Sequence, residues 1–328
     1  MTALRIIFMG TAELSCASLA ALARDEKFQV VAVVTQPDKP RGRELKLQPS
    51  PVKALALELG LPVLQPARAR DEKFNAELGG LNPDLIVVVA YGQILPQTIL
   101  DLPRHGCLNI HTSLLPKYRG AAPIQWAIAS GDTETGVTIM KMDAGLDTGP
   151  VVAARRTLIR AEDDSASLHD RLARLGAELL GQTIPDYVAG KIQPAPQPAE
   201  GASYAAKIKK EDGRIDWSQP AQTIWNRLRA FTPWPGVFTF FNGKLLKIWK
   251  AEVVEKTGAA ACRVEASERR PGEILSADKT GIIVGCGKDA LRILELQREG
   301  GKRLSAEQFL AGFSVKAGQE FEPPVKPA

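Results

Sequence analysis

Asn109 and His111 stand two residues apart in the stretch Cys107-Leu108-Asn109-Ile110-His111, and both carry side chains that serve acyl transfer. In a β-strand, alternate residues share a face, which would put the two about 7 Å apart. An asparagine amide can donate hydrogen bonds to a developing oxyanion. An imidazole can take or relay a proton near neutral pH. A histidine in that role needs an orienting partner. Asp147, in the tight turn Asp143-Ala144-Gly145-Leu146-Asp147-Thr148-Gly149, is the candidate. Taken singly, a strand-end histidine and a turn-forming aspartate have ordinary structural explanations. In the order Asn-x-His and then Asp, they favour a catalytic site for acyl transfer.

Other chemistries find less support. His105, Cys107 and His111 are possible metal ligands, but their spacing fits no standard zinc pattern, so no metal is expected. Cys16, Cys107, Cys262 and Cys286 lie far apart with no CxxC, against a disulfide framework or a cysteine-based zinc site. Gly285-Cys286-Gly287-Lys288-Asp289-Ala290 matches G-x-G-x-x-A. A dinucleotide site needs a helix after the glycines, whereas 291–297 reads as a strand, so a hairpin turn is expected.

The elements that must position the trio follow from the pattern. The first ~190 residues alternate strand and helix signals, the mark of an α/β domain. Strands are expected at 4–9, 30–35, 85–91, Cys107–His111, 137–142 and Val151–Leu158. The run at 85–91 is continuously apolar and suits a sheet centre. Helices are expected at 12–24, from Pro51 with Ser50 as N-cap, at 121–130 and at 165–190. Residues 36–50 read as a long polar loop. Residues 191–203 (KIQPAPQPAEGAS) contain three prolines and read as a semi-rigid linker. Beyond it comes a helix from Ser218 to about Phe231, then short strands with an Asn242-Gly243 hairpin turn, suggesting a small barrel.

With 328 residues, 45% hydrophobic and 24% charged, the chain has the profile of a soluble two-domain protein. No apolar run reaches membrane-spanning length. The N-terminal stretch faintly mimics a signal peptide, but Gly10-Thr11-Ala12-Glu13 interrupts it, so a strand and turn in a cytoplasmic protein is the better reading. The net charge of +5 is unevenly placed: 208–328 hold 20 basic and 15 acidic residues, and 1–207 hold 22 of each. A solvated basic surface would explain this, as would an anionic partner such as nucleic acid.

At these residues the chain resembles the folate-dependent formyltransferases. The stretches NIHTSLLPKYRGAAPIQ at 109–125 and GVTIMKMDAGLDTG at 136–149 carry the resemblance. So do TQPDKPRGR at 35–43, SYAAKIKKEDGRIDW at 203–217 and RAFTPWPG at 229–236. The resemblance implies a Rossmann-like catalytic domain at 1–190, a linker at 191–207 and a smaller, OB-like β-barrel at 208–328 that binds tRNA. It implies transfer of formyl from 10-formyltetrahydrofolate to the α-amine of methionyl initiator tRNA. A monomer is expected, because no leftover amphipathic surface is evident in the sequence. Asn109, His111 and Asp147 match the family's catalytic trio. Ser113, Leu114, Leu115 and Pro116 match its folate-binding segment; Tyr91, Gly92, Gln93, Ile94, Leu95 and Asp143 match the walls of the pterin pocket. Lys39, Arg41, Arg43, Lys46 and Lys207 match tRNA-contacting positions. The chain departs from the pattern at Thr112 (usually Gly), at the opening turn GTAELS, and at Glu44 beside Arg43. Two other readings use the same residues: a relative acting on a nucleotide-linked aminosugar, and a non-catalytic RNA-binding module.

Overall fold

The computed structural model describes residues 3–41, 46–254 and 270–322. The chain divides into two compact units. One comprises Met1–Pro123, Glu134–Leu158 and Ser167–Ala205; the other comprises Ile124–Thr133, Ile159–Ala166 and Ala206–Ala328.

The strands of the first unit are β1 (Leu4–Gly10), β2 (Phe28–Val34), β3 (Lys39–Arg41), β4 (Lys46–Gln48), β5 (Val63–Leu64), β6 (Leu85–Val89), β7 (Cys107–His111), β8 (Arg119–Gly120), β9 (Glu134–Lys141), β10 (Val151–Leu158) and β11 (Tyr204–Ala205). Seven of them form one sheet in the order β10-β9-β7-β6-β1-β2-β5. The run β7-β6-β1-β2-β5 is parallel, whereas β9 and β10 add antiparallel strands. This is the Rossmann-like α/β arrangement expected. The strand β6 (LIVVV) lies fourth of the seven and is buried along its whole length, as a strand covered on both faces requires. One apolar layer joins Met9, Val34, Val88 and Tyr91 to Phe74 and Leu78 of the helix Glu72–Gly80.

Three segments differ from expectation. The helix Glu72–Gly80 was not anticipated, because only Phe74 and Leu78 are buried along it; Asp71 caps it by accepting from the N–H groups of Lys73 and Phe74. The loop at 36–50 contains an antiparallel pair, β3 with β4, in which Lys39 faces Gln48. The segment 191–203 lies within the first unit rather than spanning free space. Val151 and Ala195 exchange backbone hydrogen bonds of 2.7 and 2.8 Å, and β11 pairs with β8.

In the second unit the strands are β12 (Val237–Phe241), β13 (Lys244–Val254), β14 (Ile274–Asp278), β15 (Gly281–Gly285), β16 (Ala290–Arg298) and β17 (Arg303–Ser305). They form an antiparallel sheet in the order β12-β13-β16-β15-β14, with β17 also on β16. Among the described residues β12 and β14 do not pair, so the sheet is open in its described part. Asn242 and Gly243 adopt φ of 50° and 71°, the left-handed turn expected between β12 and β13. Gly285 ends β15 and Ala290 begins β16, so the G-x-G-x-x-A match is a hairpin. The Trp217 ring stacks on Phe321 at 5.5 Å and donates its indole N–H to Thr239.

Ser50 caps the helix Pro51–Glu58 by accepting from the Lys53 N–H at 3.0 Å, and its hydroxyl also pairs with the fully buried Thr35 hydroxyl at 2.7 Å. Ser50→Ala removes the cap and strands the Thr35 hydroxyl. Urea unfolding of this variant should show a loss of about 1–3 kcal/mol, and Ser50→Thr should recover most of it.

Candidate active site

The strand β7 runs between β6 and β9, which places Asn109 beside Val88 on one side and Met140 on the other. These three residues and His111 line a cavity of about 510 Å³. Its remaining wall includes Thr112, Gly120, the segment Tyr91 to Leu95 and the loop Met142 to Asp147. The expected trio therefore converges on one cavity. Asn109 is half-buried, and its side-chain amide makes no hydrogen bond to another described residue, so it is open to a ligand.

His111 is buried, with 6% of its surface exposed. Its Nε2 lies 2.8 Å from the carbonyl oxygen of Tyr118. A carbonyl oxygen only accepts, so Nε2 carries a hydrogen. The other ring nitrogen, Nδ1, stands 3.7 Å from Oδ2 of Asp147. That gap is an ion-pair distance, longer than a hydrogen bond. The same Oδ2 accepts the Gly120 backbone N–H at 2.7 Å. Tyr118 and Gly120 thus hold the two members of the pair through backbone groups. Neither was singled out from the sequence. The available signal was Gly120 itself, which adopts a φ of 116° where an added Cβ would meet the Ala205 carbonyl oxygen at 2.8 Å.

The loop that presents Asp147 explains its own composition. The Asp143 carboxylate accepts from the Gly145 N–H at 3.0 Å and from the Thr148 hydroxyl at 2.8 Å, so it shapes the turn. A Cβ at Gly149 would lie 1.8 Å from the Lys141 carbonyl oxygen, a position open only to glycine. Asp147 has a φ of 53°. A left-handed backbone at a non-glycine residue costs about 1–3 kcal/mol and persists only where its surroundings impose it.

The Tyr91 to Leu95 wall is a fixed turn. The Tyr91 ring packs into the core, and burial pushes its hydroxyl up to about 12. Its carbonyl accepts from the Thr11 hydroxyl and the Gln36 amide, both at 2.9 Å. Gln93 accepts the Ala69 N–H at 2.8 Å. The backbone N–H groups of Gly92, Gln93, Ile94 and Leu95 make no hydrogen bond to another described residue, and the Ile94 side chain is 90% exposed. The turn thus presents free backbone donors along one wall of the cavity. The opening turn GTAELS is held as well: Ser15 donates to the Val89 carbonyl at 2.6 Å. Thr112 is buried and contributes to the cavity wall.

Ser113, Leu114, Leu115 and Pro116 do not line this cavity. Ser113 donates its hydroxyl to the Lys117 carbonyl at 2.6 Å, and Thr138 bridges the Ser113 carbonyl and the Leu115 N–H at 2.7 and 3.1 Å. These hydrogen bonds shape the chain that leads from His111 to Tyr118. Of the residues matched to tRNA contact, Lys39 is exposed and donates to Gln36 at 2.6 Å, and Lys207 is exposed in the second unit. Arg41 and Lys46 face each other in the β3–β4 register, and Arg43 lies outside the described residues.

Gly149→Ala should push the loop away from Lys141 and displace Asp147. The acyl-transfer rate should fall on the order of 10²-fold, the scale of a 1 Å misplacement, with thermal unfolding still cooperative. Wild-type rates in that variant would contradict the role given to the loop.

Comparison with known proteins identifies the family. Residues 4–184 match the Formyl transferase family, and residues 207–314 match Formyl transferase, C-terminal domain. The chain is 52% identical over 318 residues to the methionyl-tRNA formyltransferase of Geobacter metallireducens, covering 97% of this chain and 98% of that one. It is 51% identical over 316 residues to the enzyme of that name from Myxococcus xanthus, covering 96% and 97%. Among solved structures, an N-formyltransferase from Helicobacter canadensis, in complex with folinic acid and dTDP-3-aminofucose, has the same fold, with a TM-score of 0.65 at 18% identity over 88% of this chain and 98% of that one. With its two matched regions and its Asn109, His111 and Asp147 around one cavity, the chain belongs to the formyl transferase family.

Proposed function

We propose that this chain transfers the formyl group of 10-formyltetrahydrofolate to the α-amino group of methionyl initiator tRNA. The observation that carries the chemistry is the convergence of Asn109, His111 and Asp147 on a cavity with a turn of unpaired backbone donors. The observation that favours this acceptor over an aminosugar is identity near 51% with the methionyl-tRNA formyltransferases over almost the full length of both chains. The donor's pterin sits against residues 91–95 and Asp143.

The neutral α-amine attacks the formyl carbon, and the carbonyl π pair moves to oxygen. Asn109 donates to that oxyanion from its uncommitted amide. His111, with Nε2 fixed on Tyr118, presents Nδ1–H to the same oxygen, and Asp147 balances the imidazolium across the 3.7 Å gap. The attacking nitrogen loses its proton through water to Asp147. The intermediate then collapses, re-forming the carbonyl and breaking the bond to N10 of tetrahydrofolate, which takes up that proton from Asp147 through water. Holding both substrates in one site supplies much of the rate. The trio works through proton movement and charge stabilisation, and the residues needed come from one chain, which we take to act as a monomer in the cytosol. No helix among the described residues is long and apolar enough to cross a membrane.

For tRNA, the loop at 36–49 offers Lys39, Arg41, Arg43 and Lys46 for phosphate contact. In the second unit the Arg303 guanidinium lies 5.3 Å from the Trp249 ring centroid, and Arg298 lies 4.1 Å from that of Phe313. Such cation–aromatic faces suit a nucleic-acid surface, and Lys207 adds an exposed charge in the same unit.

The assay compares methionyl initiator tRNA, uncharged tRNA and nucleotide-linked aminosugars as acceptors. Product on methionyl-tRNA is expected; product on the small amine alone would overturn this reading. His111→Ala should reduce kcat by about 10²–10⁴-fold. Replacing Arg41 and Arg43 by alanine should weaken tRNA use and lower the slope of log affinity against log salt by about one for each charge removed, with folate binding unchanged. An unaltered slope would remove the loop from the contact surface.

A further inference from the structure

The segment 191–203 reaches the loop of Asp147 through one side chain. The antiparallel bridge between Val151 and Ala195 sets the register. Two residues along each chain, that register puts Gln197 opposite Gly149. The Gln197 Nε2 donates to the carbonyl oxygens of Asp147 and Gly149, each at 2.8 Å. Its Oε1 accepts from Nε and Nη2 of Arg119 at 3.1 and 2.6 Å. Both amide hydrogens and both lone pairs are used, so the side chain has a single workable orientation.

Arg119 lies between the two residues whose backbones hold the catalytic pair. The Tyr118 carbonyl takes His111 Nε2, and the Gly120 N–H takes the Asp147 carboxylate. Ser203 fixes the same stretch from outside: its hydroxyl accepts the Tyr118 N–H at 2.9 Å, and its carbonyl accepts the Arg119 N–H at 2.8 Å. The connections form a closed ring, from His111 through residues 118–120 to Arg119, Gln197, the Asp147 backbone, its carboxylate and back to Gly120.

We propose that Gln197 is a positioning residue: gripped by Arg119, it imposes the left-handed backbone at Asp147 and so sets the distance from that carboxylate to His111. The assignment rests on the formyl-transfer reading for its rate effects but stands on geometry alone for the placement of the ring. Glutamate cannot substitute. It would accept from Arg119 as well as glutamine does, yet it offers no hydrogen to the two carbonyls and would direct charge at their oxygens. Gln197→Glu therefore keeps the volume and the arginine contact and removes only the donors.

The test is steady-state formylation by Q197E beside wild type, with each variant also made in an Asp147→Ala background. For Q197E, kcat should fall on the order of 10- to 100-fold, with KM for 10-formyltetrahydrofolate little changed. In the Asp147→Ala background the same substitution should cost nothing further, because the group it positions is gone. Arg119→Met should show a loss in the same direction with the same dependence on Asp147, which covers the case of a poorly folding Q197E. A rise in KM with kcat intact, or losses that multiply with that of Asp147→Ala, would overturn the proposal. Nuclear magnetic resonance of the His111 ring reports the placement independently of the acceptor. Its signals should move in Q197E whatever the acceptor proves to be, and unmoved signals would contradict the placement. A wild type inactive on methionyl-tRNA would count against the proposed acceptor instead.

Discussion

The Gly120 backbone N–H donates to Oδ2 of Asp147 at 2.7 Å, and that same oxygen stands 3.7 Å from Nδ1 of His111. The rest of the site depends on this contact. A carboxylate placed there can balance an imidazolium, and it sits on a backbone with a φ of 53°, a left-handed conformation that costs most non-glycine residues about 1–3 kcal/mol. Three features impose the position: glycine at 149 under the Lys141 carbonyl, the Asp143 carboxylate closing the turn, and the Gln197 amide on the loop's carbonyls. The fold supplies a charge pair at fixed spacing, which side-chain chemistry alone would not guarantee.

The sheet supplies the other half of the geometry. Strands β6 and β7 run in parallel at the middle of the order, so the residues that follow them, 90–95 and 112–120, emerge as neighbours. An open parallel sheet gathers ligand-binding loops in this way. The antiparallel strand β9 then returns beside β7, which brings Met140 next to Asn109 and starts the loop that carries Asp147. Chain segments far apart in sequence thus share one cavity without any of them being long.

Much of this was legible from residue types. Strand parity placed Asn109 and His111 on one face, and continuous apolarity placed the run at 85–91 at the sheet centre, although the strand itself ends at Val89. The Ser50 cap and the Asn242-Gly243 turn carried their usual local signals. What stayed hidden depends on distant partners. Gln197 and Ser203 lie in a proline-rich stretch whose composition describes only stiffness; their roles come from hydrogen bonds to residues 48 to 85 positions away. The β3–β4 pair hides among charged residues and prolines because two three-residue strands have no periodicity to read. For Ser113 to Pro116 the resemblance points to folate, and the structure adds that the Ser113 hydroxyl and carbonyl and the Leu115 N–H bond to Lys117 and Thr138, which shapes the His111 to Tyr118 segment.

The protonation pattern of His111 probes this arrangement most directly. The chain has three histidines, so ¹⁵N signals of the ring can be assigned by substitution. If Tyr118 and Gly120 hold the pair as described, Nε2 carries a hydrogen whether the ring is neutral or charged, and it keeps that hydrogen in Asp147→Asn. A neutral His111 protonated on Nδ1 would place a nitrogen lone pair against the Tyr118 carbonyl oxygen, and that result would contradict the account.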